Sequence, residues 1–142
     1  MAEQDPPHDQ ELIADLLAKT KTIALIGASI KPERPSYRVM HYLLKQDYHV
    51  IPVNPAMAGK QILGQTCFAE LTDIDEPIDM VDIFRAAERC YSIAQDAVAI
   101  NAKSIWMQLG ITNQQARTYA ETAGLIVVEN KCTKNEHERL SR

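Results

Sequence analysis

Thr22-Ile23-Ala24-Leu25-Ile26-Gly27-Ala28-Ser29 is an apolar run that breaks into a glycine, a small residue and a hydroxyl. A buried parallel strand is written as a near-continuous hydrophobic stretch, so Thr22 to Ile26 reads as the first strand of an α/β sheet and Gly27-Ala28-Ser29 as the tight turn it feeds. Helical patterns flank it. Upstream, Leu12, Ile13, Leu16 and Leu17 fall at helical spacing within Asp9 to Lys19. Downstream, Pro32 and Pro35 keep a helix from starting early, Ser36 reads as its N-cap, and Val39, Met40, Leu43 and Leu44 form a buried stripe to about Gln46.

The same alternation continues to the C-terminus. Tyr48 to Pro55 is a second strand, with Pro52 placed near its exit because proline removes a ladder donor. Residues 56 to 77 hold Gly59, Gly64 and Pro77 and read as a loop with a short helical turn around Ala69 to Asp73. Ile78 to Phe84 is a third strand, and a helix follows over about Ala87 to Asn101 with Cys90, Ile93, Ala94, Ala97 and Val98 inward. Ser104 to Gln108 is the fourth strand. Thr112 with Gln115 makes a capping-box pattern for a helix that stops at Gly124. Leu125 to Glu129 is the fifth strand, and the polar stretch Cys132 to Arg142 folds back as a short helix. The expected fold is a single α/β domain: a doubly wound parallel sheet of about five strands, Rossmann-like, with helices on both faces. Residues 1–11 are expected to be a tail and the start of the first helix, and 12–142 the ligand-binding domain.

Composition narrows the function. A chain of 142 residues with 46% hydrophobic and 24% charged residues suits one soluble domain. No apolar run approaches the roughly 20 residues of a spanning helix. The acidic, proline-bearing start lacks a secretory core, so a cytoplasmic address is expected. Cys67, Cys90 and Cys132 are odd in number and far apart, which fits reduced thiols and neither a disulfide framework nor a zinc site. A formal net charge of −4 speaks against a nucleic-acid partner.

Ligands of a doubly wound sheet bind outside the carboxyl ends of the strands. Those ends are Gly27-Ala28-Ser29, Val53-Asn54-Pro55, Phe84-Arg85, Met107 to Gly110 and Asn130-Lys131. A glycine turn leading into a helix N-terminus suits an anion, yet the dinucleotide fingerprint is incomplete. Only the first of its three glycines is present, and Asn54-Pro55 stands where a ribose-binding acid belongs, so NAD is disfavoured. The P-loop pattern is absent as well. In place of glycines the loop carries Lys31, Arg34 and Arg38, which suit a ligand with several phosphates.

Gly27-Ala28-Ser29, Arg34-Pro35-Ser36-Tyr37, Val53-Asn54-Pro55, Val81-Asp82-Ile83-Phe84-Arg85, Trp106-Met107-Gln108-Leu109-Gly110 and Asn130-Lys131-Cys132 together resemble the small stand-alone CoA-binding domain proteins. That family is similar in fold to the CoA-binding domain of the succinyl-CoA synthetase α subunit. The resemblance spans roughly residues 12 to 140, with one departure at Thr133, where proline is expected. It implies coenzyme A or an acyl-CoA as ligand, with Gly27, Ala28 and Ser29 at the pyrophosphate and Arg34 and Lys31 reaching phosphates. It further implies Asn54 and Pro55 at the adenosine side, Phe84 and Arg85 flanking the next strand end, and Met107, Gln108 and Gly110 near the pantetheine arm. Singly, each has a plainer reading: Phe84 and Met107 as core, Asn54-Pro55 as a turn, Gln108 as a satisfied polar residue.

Nothing in the chain reads as catalytic or metal-binding. His8, His41, His49 and His137 all lie away from the strand ends, and Asp79 and Asp82 look structural. The expectation is therefore a CoA-binding protein without its own catalytic machinery, with no membrane and no identified protein partner. The alternative is an oxidoreductase or a component of a CoA ligase built on the same fold.

Overall fold

The computed structural model describes residues 7–141. Five helices run over Pro7–Lys19 (α1), Pro35–Lys45 (α2), Cys90–Ala99 (α3), Gln114–Thr122 (α4) and Thr133–Leu140 (α5). Seven strands run over Thr22–Ile26 (β1), His49–Val53 (β2), Gln61–Ile62 (β3), Gln65–Thr66 (β4), Met80–Ile83 (β5), Ser104–Met107 (β6) and Ile126–Val128 (β7). The main sheet is five-stranded and parallel in the order β2-β1-β5-β6-β7, and β3 with β4 forms a separate antiparallel hairpin. This is the doubly wound, Rossmann-like arrangement. Strand order reverses between β1 and β5, so the crevice for a ligand opens at their carboxyl ends.

Alternation along the strands builds two cores. Ala24, Ile26, Val81, Ile83, Ile105 and Met107 face α3 and α4, whose inward residues Ala94, Ala97, Ala116 and Ala120 are fully buried. The small alanines let those helices lie close to the sheet. On the opposite face Ile23, Leu25, Met80 and Trp106 meet Ile13, Leu16 and Leu17 of α1 and Val39, Met40 and Leu43 of α2. At about 25 cal/mol per Å² of apolar surface, burial on both faces is the main stabilising term.

Three local expectations need correcting. Ser36 does not cap α2: Arg34 occupies the N-cap and Pro35 is the first helical residue, where its fixed φ and missing N–H are favourable, leaving Ser36 buried inside the first turn. At α4 the cap is Asn113, not Thr112; its Oδ1 accepts from Ala116 N at 2.8 Å, and Glu129 accepts from Asn113 N at 3.0 Å. The distant Glu129 thus supplies the reciprocal bond that Gln115 was expected to give. The 56–77 loop contains the β3–β4 hairpin, turned by Leu63 and Gly64 at φ 51° and 82°. Two left-handed central residues are the mark of a type I′ turn, and a leucine there conceals the signal. Pro52 is the fourth of five residues in β2, an edge strand that tolerates it.

Asp82 joins α5 to the sheet. It is fully buried on β5, where Oδ1 accepts from Gln108 Nε2 at 2.6 Å and Oδ2 accepts from Thr133 Oγ1 at 2.9 Å. Thr133 is the first residue of α5, so the departure from proline gives the central strand a hydroxyl to bind. Burial pushes the Asp82 carboxyl up to about 7, against the two hydrogen bonds that favour its ionised form. The folded protein therefore keeps a proton that the unfolded chain releases above about 4. Stability contributed by this group is full at low pH and declines as pH rises toward 7. Urea unfolding of wild type and Asp82→Asn between pH 4.5 and 8 is expected to show the difference moving against wild type up to about pH 7 and flat beyond; a difference constant across that range contradicts the assignment.

Gly27 is the second constraint. Its φ is +90°, and a Cβ at that position would lie 2.4 Å from the Phe84 carbonyl oxygen. Gly27→Ala is expected to cost about 1–3 kcal/mol of unfolding free energy, read from the denaturant midpoint. A change under about 0.5 kcal/mol would show that β1 and β5 can separate freely there.

Candidate functional site

A cleft of about 840 Å³ opens at the switch point, within the range of small-molecule sites. Its floor is the turn after β1. Gly27 N and Ala28 N donate to the Val53 carbonyl at 2.9 and 3.3 Å, which ties the turn to the end of β2. Asn54 reinforces the tie, with Nδ2 donating to Ala28 O at 2.8 Å and Oδ1 accepting from Ala56 N at 2.9 Å. The side chain of Asn54 is thus spent on holding the turn. Ser29 Oγ accepts from Lys31 N at 3.0 Å, while the N–H groups of Ser29 and Ile30 have no partner among the described residues. The N-terminus of α2 faces the same space through Pro35 and Ser36, and its dipole favours negative charge.

Charge in the cleft is one-sided. Its lining includes Lys31, Arg34, Arg38, Arg85 and Lys134 and no acidic residue, in a chain whose net charge is −4. Arg38 donates to the Glu33 carbonyl, and Lys134 is 3.4 Å from Glu138 with its Nζ over the Tyr42 ring. Lys31, Arg34 and Arg85 have no ion pair or side-chain hydrogen bond among the described residues, and Arg85 is half-buried. Guanidinium groups left without a carboxylate beside free backbone amides are the donor set for an anion with several oxygens.

The far side of the cleft is less polar. Phe84, Val39, Leu109, Ile111 and Cys132 line it, together with Gln108. Leu109 is 60% exposed, which leaves apolar surface for part of a ligand to cover. Cys132 is a half-buried free thiol; Cys67 and Cys90 are buried in the cores, where burial pushes both thiols up, Cys90 to about 11. The loop after β6 is pinned by Trp106 Nε1 to Lys131 O at 2.7 Å and by Gly110 N to Asn130 Oδ1 at 2.6 Å.

Of the residues expected at the site, Gly27, Ala28, Ser29, Lys31, Arg34, Asn54, Phe84, Arg85 and Gln108 line this cleft. Three do not. Met107 is fully buried against α3 and α4, because alternation on β6 turns it away from the face that carries Trp106 and Gln108. Pro55 borders a smaller recess with Glu70 and Arg89, and Gly110 is exposed beyond the rim. Sequence reasoning missed Leu109, Ile111, Lys134 and Asn135. The first lies inside a strand-end stretch already singled out, whereas Lys134 and Asn135 arrive only because α5 folds over the sheet. His41, His49 and His137 lie outside the cleft, and among the described residues no cluster of His, Cys, Asp and Glu is able to hold a metal. No helix among the described residues is long and apolar enough to cross a membrane.

Comparison with known proteins agrees with this geometry. The Bacillus subtilis (strain 168) protein YneT is 33% identical over 125 residues, covering 88% of this chain and 91% of its own. A solved structure from Pyrococcus horikoshii OT3 superposes with a TM-score of 0.92 at 40% identity, covering 100% of both chains. A dinucleotide-forming acetyl-coenzyme A synthetase from Ca. Korarchaeum cryptofilum shares the fold at 20% identity and a TM-score of 0.65, over 75% of this chain and 25% of that one. The family described as CoA binding domain matches residues 21–138, nearly the whole chain, and this protein belongs to it.

Proposed function

We propose that the protein binds coenzyme A or an acyl-CoA in the switch-point cleft and has no catalytic machinery of its own. The observation that carries this reading is the cleft's charge: Lys31, Arg34 and Arg85 line it without ion-pair partners, next to Ser29, whose N–H has no partner among the described residues. The pyrophosphate and 3′-phosphate of CoA carry several negative charges, and each charge-assisted hydrogen bond contributes on the order of 1.5–3 kcal/mol. Family membership supports the choice of CoA among phosphate ligands. The place of the second fingerprint glycine is taken by Ser29, whose hydroxyl braces Lys31 N. That bond stiffens the loop for phosphate and leaves NAD the weaker candidate. Three free thiols suit a reducing, cytoplasmic setting.

The non-catalytic reading rests on the lining of the cleft. It presents no histidine or carboxylate, the commonest general bases, and its lysines suit phosphate as charge partners. A ligand-binding role follows, either alone or in service of a separate catalytic chain.

Calorimetric titration with CoA, acetyl-CoA, NAD and ATP tests the reading. Heat with the CoA compounds at affinities well above those for NAD and ATP is expected; no heat with CoA overturns it. Arg85→Ala is expected to weaken CoA binding by about tenfold, or about 1.4 kcal/mol, and to flatten its salt dependence. Unchanged affinity in that variant would remove Arg85 from the site.

A further inference from the structure

Gln108 is a cleft residue whose amide has no freedom to turn. Both of its amide hydrogens are used: Nε2 donates to Asp82 Oδ1 at 2.6 Å and to Thr133 Oγ1 at 3.0 Å. Thr133 gives its only hydroxyl proton to Asp82 Oδ2 at 2.9 Å. Above about pH 7, where Asp82 is ionised, its carboxylate has nothing to donate, so the amide edge that faces it is the NH₂ edge. The opposite edge, Oε1, has no partner among the described residues. Every buried side-chain polar atom among them is satisfied, so Oε1 is open to the cleft that Gln108 lines. Gln108 itself is 5% exposed, which leaves little of it in the cleft beyond that edge.

We infer that Asp82 and Thr133 are positioning residues that aim the Gln108 carbonyl oxygen into the cleft, so that the site requires a neutral N–H or O–H donor on its ligand beside the end of β6. The inference rests on the CoA reading for the ligand's identity and on the hydrogen bonds above for the acceptor. It divides the cleft by polarity. The cations without an ion pair, Lys31, Arg34 and Arg85, lie after β1 and at the end of β5, where phosphate belongs, and Lys134 on α5 is paired with Glu138, while the β6 end offers an acceptor that would repel another phosphate. A ligand therefore has to be anionic at one end and carry uncharged donors at the other. CoA has such donors in the amides of its pantetheine arm and in its adenine amino group, and simple polyphosphates have none.

Asp82→Asn tests the positioning because it keeps the shape and adds a donor. With asparagine at this place the Thr133 hydroxyl keeps an acceptor and the Asn Nδ2 finds one only if the Gln108 amide turns over, which puts Nε2 in the cleft. At pH 8, above the value of about 7 for Asp82, ¹⁵N NMR of the ligand-free wild type is expected to show both Gln108 side-chain protons protected from solvent exchange, and in Asp82→Asn exposed to it. Fast exchange in wild type overturns the inference whatever the protein binds. CoA titrations of Asp82→Asn, Gln108→Met and the double variant are expected to give about tenfold weaker binding in each, with no further loss in the double. Additive losses would mean that Asp82 acts through folding alone and would overturn the positioning role. Pantetheine and adenosine 3′,5′-bisphosphate, titrated separately, identify the donor as the fragment whose affinity Asp82→Asn lowers; unchanged affinity for both overturns the inference. Protected Gln108 protons in a wild type that binds no CoA would sink the CoA reading and leave the acceptor standing.

Discussion

The site exists because β1 and β5 approach each other without a side chain between them. At Gly27 the backbone turns at φ +90° against the Phe84 carbonyl, and a methyl group there would overlap it at 2.4 Å. That contact sets the spacing of the two strand ends where the sheet's order reverses. After the turn the N–H groups of Ser29 and Ile30 have no partner among the described residues. Everything that follows in the cleft, from the α2 N-terminus to the position of Arg85, depends on that turn staying tight.

A second constraint works from the other end of the chain. Thr133, Gln108 and Asp82 form a closed, fully buried set of hydrogen bonds that links the start of α5 and the end of β6 to the central strand. A buried carboxylate costs free energy, and here that cost maintains a fixed orientation of a cleft residue. Through the same link α5 brings Lys134 and Cys132 to the rim. Two physical devices thus shape one cleft: a missing Cβ that lets β1 and β5 close up at Gly27, and a buried polar triangle that orients Gln108.

Much of this was legible in the sequence. Long apolar runs and strong helical stripes report burial directly, so the five parallel strands were readable within two residues at each end and their helices within three. Seven residues at the strand ends, with Lys31 and Arg34 from the loop after β1, line the cleft. What escaped depends on tertiary contacts or on single residues. Glu129 completes the Asn113 cap from sixteen residues away, and Leu63 takes a left-handed turn position that usually belongs to asparagine or glycine. Met107 lies in the core against α3 and α4, because alternate side chains of Trp106-Met107-Gln108 face opposite sides of the sheet. Asp82 read as structural, and it is; that it also orients Gln108 follows only from the Thr133 contact across fifty-one residues.

The central claim is that CoA occupies the switch-point cleft. Amide hydrogen exchange with and without saturating CoA addresses it most directly, because the N–H groups of Ser29 and Ile30 have no partner among the described residues. Slowed exchange at Ser29, Ile30, Arg85 and Ala86, with α4 and β7 unchanged, is the predicted result. Exchange unaffected at those amides, or slowed only on the α3–α4 face, would contradict it.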